Sequence, residues 1–200
     1  MAISPALVKE LREKTGSGMM DCKRALEEAK SDLKKAVELL RKKGLADLAE
    51  RAGRTANQGL VEAYVHGGGR IAVLVEVNCE TDFVARNDEF KAFAHDVAMQ
   101  VAAATPMFVS RDEVPEDLIE SEKDIYRAQS LKEGKPEKII DKIVEGRLEK
   151  FFQAVCLLEQ DFVKDTDQTV QDRLAALGSK IKENIAIRRF TRFQLGESSD

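Results

Sequence analysis

Few side chains in this sequence are equipped for chemistry. The 200 residues hold two histidines, His66 and His95, and three cysteines, Cys22, Cys79 and Cys156. The cysteines are widely spaced and form no Cys-x-x-Cys pair, so neither a disulfide framework nor a zinc site is expected. Gly67-Gly68-Gly69 lacks the Lys and Ser/Thr that complete a phosphate-binding loop. It also joins two strand-like runs instead of opening a helix, which argues against nucleotide binding by this chain. His66 closes one of those runs and His95 falls midway along an amphipathic pattern, where an ordinary boundary histidine is the simpler reading. A nucleophilic pair of Cys79 with a histidine stays open, although no nucleophile elbow or oxyanion-hole glycine surrounds that cysteine. The expectation is a binding protein and not an enzyme, with no cofactor and no metal of its own.

Two places look like contact surfaces. Met19 and Met20 stand side by side at a helix start, after the glycine-flanked turn Thr15-Gly16-Ser17-Gly18 and before Asp21. Methionine suits an adaptable apolar contact; the alternative is one Met in the core and one merely exposed. The second place is the polar link Thr81-Asp82-Phe83-Val84-Ala85-Arg86-Asn87. There Phe83 either plugs the core beneath the loop or offers an apolar contact, and Asp82 is a candidate cap for a short turn.

The elements that must position these residues follow from punctuation and periodicity. Residues 4–43 read as three short helices. Ser4 and Pro5 start the first, Met19 or Asp21 the second and Ser31 or Asp32 the third, and Gly44 ends the third. Three helices in about forty residues make a very small core that needs support from elsewhere. An alanine-rich helical connector over 45–58 leads to a hairpin, Leu60 to His66 and Arg70 to Asn78, in which Ile71, Val73, Val75 and Val77 alternate. A helix capped by Asn87 follows, with Phe90, Phe93, Ala94, Val97, Ala98 and Val101 on one face. Two helical pieces divided around Glu133-Gly134-Lys135-Pro136 and a helix over 169–182 come next. The last element is a strand over 185–195, with Ile185, Ile187 and Phe193 on one side and Phe190 on the other. The fold class is α+β, with 1–54 as a three-helix module and connector and 55–200 as a core of a small antiparallel sheet packed with helices. Three strands leave open edges, so self-association through the sheet is expected.

The charge balance bears on partners. The formal net charge is −4, yet residues 1–54 carry 13 Lys/Arg and 9 Asp/Glu. Interspersed signs favour a solvated helical surface over a phosphate-binding patch, and no direct nucleic-acid binding is expected. No apolar run approaches the ~18 residues of a spanning helix, and residues 1–10 lack the pattern of a signal peptide, so a cytoplasmic address without a membrane partner is expected.

Residues 11–26, reading LREKTGSGMMDCKRAL, and residues 76–85, reading EVNCETDFVA, resemble the two signatures of the elongation factor Ts family. The similarity extends through IVEGRL at 143–148 and VCLLEQ at 155–160 to IRRF at 187–190. The resemblance implies a short member of that family, without the second copy of the core module found in longer ones, and guanine nucleotide exchange on elongation factor Tu. It makes residues 1–54 similar to ubiquitin-associated domains and makes Thr81, Asp82, Phe83 and Val84 the segment that dislodges the partner's magnesium ion. It offers Met19, Met20, Asp21 and Lys23 as partner contacts, and it allows a homodimer through the core sheet. The competing reading is a non-catalytic interaction module for a ubiquitin-like or nascent-chain partner.

Overall fold

A computed structural model describes residues 3–197; of the polar tail expected over 197–200, residues 198–200 lie outside it. The chain is α+β and divides into two compact units. One joins the chain up to Met99 with the stretch from Gln171 onward, and the other is Gln100–Val170. The first unit begins with helices α1 (Pro5–Thr15), α2 (Met19–Glu28) and α3 (Leu33–Arg51), followed by strands β1 (Gln58–His66) and β2 (Ile71–Cys79). A single helical turn, α4 (Asp82–Ala85), and helix α5 (Asp88–Ala104) come next. Helices α6 (Glu116–Lys132) and α7 (Glu137–Val155), strands β3 (Asp161–Phe162) and β4 (Asp165–Thr169), helix α8 (Val170–Ile181) and strand β5 (Ala186–Gln194) complete the order.

The three N-terminal helices close over Leu11, Cys22, Ala25, Leu26, Ala29, Ala36 and Leu40. Pro5 occupies the first turn of α1 as expected, but the side chain of Ser4 makes no capping bond. Gly16, with φ +66°, ends α1 in the left-handed conformation that glycine adopts without a Cβ penalty. Asp32 caps α3 through a 3.2 Å bond from Lys35 N. Gly44 does not end α3, which runs on to Arg51. The glycine is buried where α3 meets α8, and a Cβ there would lie 3.7 Å from that of Ala175. The glycine lies inside the helix at that contact, a placement that a sequence cannot distinguish from a stop signal. Arg41 adds a 2.6 Å ion pair to Asp172 of α8.

In the three-stranded antiparallel sheet, β2 lies between β1 and β5. The Gly67-Gly68-Gly69 turn needs three successive positive φ values, +60°, +68° and +91°, which explains why glycines fill it. Val73, Val75, Val77 and Cys79 point into the core. A bulge between Glu76 and Val77 puts Ile187 opposite Val77 and Phe190 opposite Val75, so both share the inner face. Phe193, opposite Ala72, points outward instead. Strict alternation placed Phe193 with Ile187 and Phe190 across from them; the extra residue reverses that arrangement. The outer face carries exposed Val61, Val65, Leu74 and Phe193. Asn87 Oδ1 accepts from Glu89 N at 2.7 Å, and the expected apolar face of α5 is buried from Phe90 to Val101.

In the second unit, α6 and α7 pack together. Gln100 and Gln160 are buried but satisfied: Gln100 Nε2 donates to Gln160 Oε1 (3.1 Å), and Gln160 Nε2 to Ala154 O (2.8 Å). Arg111 bridges Glu149 and Glu159 while its guanidinium lies 4.4 Å from the centre of the Phe152 ring. The two short strands β3 and β4 form a hairpin that apolar alternation did not signal.

Candidate partner-binding site

The corner between β2 and α4 is built from the backbone outward. Thr81, extended at φ −125° and ψ 153°, caps α4, and its Oγ1 accepts from Val84 N at 3.4 Å. The cap is therefore Thr81 and not Asp82. Asp82 instead accepts a 2.9 Å bond from Arg86 one turn later. Val84 is half-buried, whereas Phe83 is 80% exposed. The ring does not plug the core; it projects from a helical turn into solvent.

Further side chains fix this corner. Cys79 Sγ donates to Thr81 O at 3.1 Å, so the thiol's partner is a backbone carbonyl and not a histidine. Burial, then the nearby Glu183 carboxylate, pushes the thiol up to about 11. That shift favours the thiol over the thiolate that nucleophilic attack requires. His66 and His95 are engaged by Tyr64 and Glu62 respectively, at 2.9 and 2.8 Å. Glu183, in the turn between α8 and β5, accepts from Glu80 N (3.0 Å), Thr81 N (3.1 Å) and Thr81 Oγ1 (2.6 Å). Glu80 reciprocates by accepting from Asn184 N at 2.6 Å, and Asn184 Nδ2 donates to Arg54 O at 2.8 Å. Sequence reasoning missed Glu183 because its partners lie about a hundred positions upstream and it carries no local motif.

The second candidate surface is the start of α2. Met19 and Met20 are 60% and 58% exposed, so neither enters the small core. Asp21 is half-buried and Lys23 is exposed, 3.9 Å from Glu27. The hydrogen bond from Lys43 holds the Asp21 carboxyl below its ordinary range, helped by the positive charges of Lys43, Lys182 and Arg24. Lys182 directly precedes Glu183. One turn thus acts on both candidate surfaces: Lys182 on Asp21, and Glu183 on Thr81. Among the described residues no three His, Cys, Asp or Glu side chains gather to hold a metal, and no helix is long and apolar enough to cross a membrane.

A family-wide profile described as Elongation factor TS matches residues 6–197. The chain belongs to the elongation factor Ts family. It is 65% identical to Elongation factor Ts of Carboxydothermus hydrogenoformans over 98% of this chain and 90% of that protein. It is 60% identical to Elongation factor Ts of Caldanaerobacter subterraneus subsp. tengcongensis over 98% of both. A third relative, Elongation factor Ts of Desulforamulus reducens, is 61% identical over 98% of this chain and 90% of its own length. These relatives are of nearly the same length as this chain, so comparison with the elongation factor Ts family covers both candidate surfaces.

Proposed function

We propose that this chain is a guanine nucleotide exchange factor of translation elongation. In this reading it binds elongation factor Tu in the GDP form in the cytoplasm, displaces the magnesium ion and promotes GDP release, making and breaking no covalent bond itself. Residues 1–54 act as a ubiquitin-associated-like docking module that offers Met19, Met20, Asp21 and Lys23. Residues 55–200 form the core module, and its Thr81-Asp82-Phe83-Val84 segment is the magnesium-dislocating element. The observation that carries this reading is the exposure of Phe83 on a capped turn, in a chain of the elongation factor Ts family.

The physics runs through the partner's metal. Mg²⁺ bridges nucleotide phosphate and protein ligands in a GTPase site, so disturbing its shell weakens nucleotide binding. By linkage, the factor weakens GDP by the same ratio as GDP weakens the factor. Moving a population from 1:99 to 99:1 takes about 5.5 kcal/mol of differential affinity. Burying an exposed phenylalanine ring in the partner supplies about 1.5–3 kcal/mol of it. The two methionines, desolvated in the same encounter, supply more.

We also infer that two copies of the chain pair through the outer sheet face. That face is apolar at Val61, Val65, Leu74 and Phe193, with Glu76 and Arg189 paired at 2.7 Å between them. A two-fold axis would set this patch against its own copy, so the apolar side chains would cover one another.

The deciding experiment follows release of fluorescent GDP from elongation factor Tu. The chain should accelerate release, and Phe83→Ala should lose about tenfold or more of that acceleration, as expected for about 1.5 kcal/mol of lost burial. The thermal midpoint should hold, because the ring is exposed. An unchanged rate would defeat the wedge. Failure to retain elongation factor Tu in a pull-down would favour an interaction module for a ubiquitin-like or nascent-chain partner.

A further inference from the structure

We infer that Glu183 is a positioning residue for exchange, holding the Phe83 turn in its competent shape without touching the partner. The inference rests on the reading of Phe83 given above. Phe83 is 80% exposed, so core packing does little to hold its ring. Its direction follows the backbone of α4, and a four-residue turn has little stability of its own. The turn starts at its Thr81 cap, and Glu183 holds that cap through three of the bonds made at this corner.

An ionised carboxylate can only accept hydrogen bonds. The 2.6 Å contact therefore commits the single hydroxyl proton of Thr81 to Glu183 Oε1 and leaves the Thr81 lone pairs for Val84 N. The other oxygen, Oε2, takes Glu80 N and Thr81 N together. Removing the carboxylate frees the hydroxyl rotor and strands two backbone donors at the base of the turn. Charge-assisted bonds of this kind are about twice as strong as neutral ones, and three converge here.

The partnership is reciprocal, because Glu80 Oε1 accepts from Asn184 N at 2.6 Å. The β2–α4 corner and the α8–β5 corner exchange carboxylates, which ties each to the other. Lys182 sets the aim of Glu183: its φ of +70° turns the chain sharply at the end of α8, with its N–H bonded to Gly178 O at 2.8 Å. A side chain in that left-handed conformation is strained, and the surrounding bonds hold it there. A rigid turn presents the ring to the partner without the ordering loss that a floppy loop would suffer on binding.

The test is a double-mutant cycle on GDP release from elongation factor Tu with Glu183→Ala, Phe83→Ala and both together, read as kcat/KM. Glu183→Ala should cost about tenfold, in line with the loss of bonds to a charged group. Adding it to Phe83→Ala should cost little more, because a missing ring has no position to lose. Glu183→Gln, which keeps one acceptor oxygen, should recover part of the rate. In that variant the amides of Thr81 and Val84 should exchange with deuterium at least tenfold faster, with the thermal midpoint nearly kept.

Full activity in Glu183→Ala, or losses that simply multiply in the double variant, would overturn the inference while leaving the exchange reading intact. Full activity in Phe83→Ala overturns both. If Glu183→Ala does not fold, the Glu183→Gln cycle decides by the same criterion.

Discussion

Lys43 Nζ lies 2.5 Å from Asp21 Oδ1, tying the second half of α3 to the first turn of α2. The bond fixes the turn that displays Met19 and Met20, and Asp21 also suits the positive end of the α2 dipole.

Removing that tie tests its contribution. Lys43→Ala should destabilise the chain by about 0.2–1 kcal/mol at pH 7, the range of partly exposed ion pairs. The sign with pH follows from the depressed Asp21 carboxyl. Its contribution is full above the unfolded carboxylate value of about 3.9 and is lost as pH falls through the lower folded value. Denaturant titrations of wild type and variant should differ at pH 7 and converge near pH 2.

Two glycines should respond in opposite ways. A Cβ at Gly44 would make only ordinary contacts at 3.6–3.7 Å with Ser179 and Ala175, so Gly44→Ala should stabilise α3 by about 0.5–1 kcal/mol. Gly44→Leu should cost about 1–3 kcal/mol by overpacking. At Gly59, with φ +146°, a Cβ would stand 2.1 Å from Val77 O. Gly59→Ala should therefore cost about 4 kcal/mol or more. Thermal unfolding of the three variants gives the order directly.

All three cysteines are buried, and Cys79 and Cys156 are pushed up to about 11 from an ordinary 9.0, chiefly by burial. Iodoacetamide at pH 8 should leave the native chain nearly unmodified and label three thiols in denaturant. Between those two values the folded state keeps protons that the unfolded chain releases. Stability from these thiols is complete below the ordinary value and falls as pH rises towards 11.

Self-association has its own readout. Leu74→Glu with Phe193→Glu puts charge on the outer sheet face, where both side chains are exposed in a single chain. Sedimentation should show a dimer for the wild type and a folded monomer for the variant. Equal masses would remove the paired-sheet proposal.

What could be read beforehand was what neighbours in sequence determine. The apolar stripe from Phe90 to Val101, the hairpin across three glycines and the Asn87 cap all depend on residues a few positions apart. What could not be read depends on distant partners. Gly44 looks like a stop until Ala175 is beside it. Phe193 changes face only because a bulge opposes Glu76 and Val77. In the candidate site, the residue types at 81–84 carried a signal, but the exposure of Phe83 did not, and Glu183 was silent. The Cys79 alternative is closed by a carbonyl partner and a raised thiol, both of which are properties of burial.

The central strand of the sheet pairs on one side with β5, which lies about a hundred residues further along the chain. A nascent chain emerging from the ribosome can complete its first hairpin early. The valines of β2 then lack their second neighbour, and Thr81 its carboxylate, until residues 183–194 appear. Prematurely terminated products therefore carry the aromatic tip on an unsecured loop above a half-made sheet. Arrival of that one stretch completes the sheet and secures the turn together.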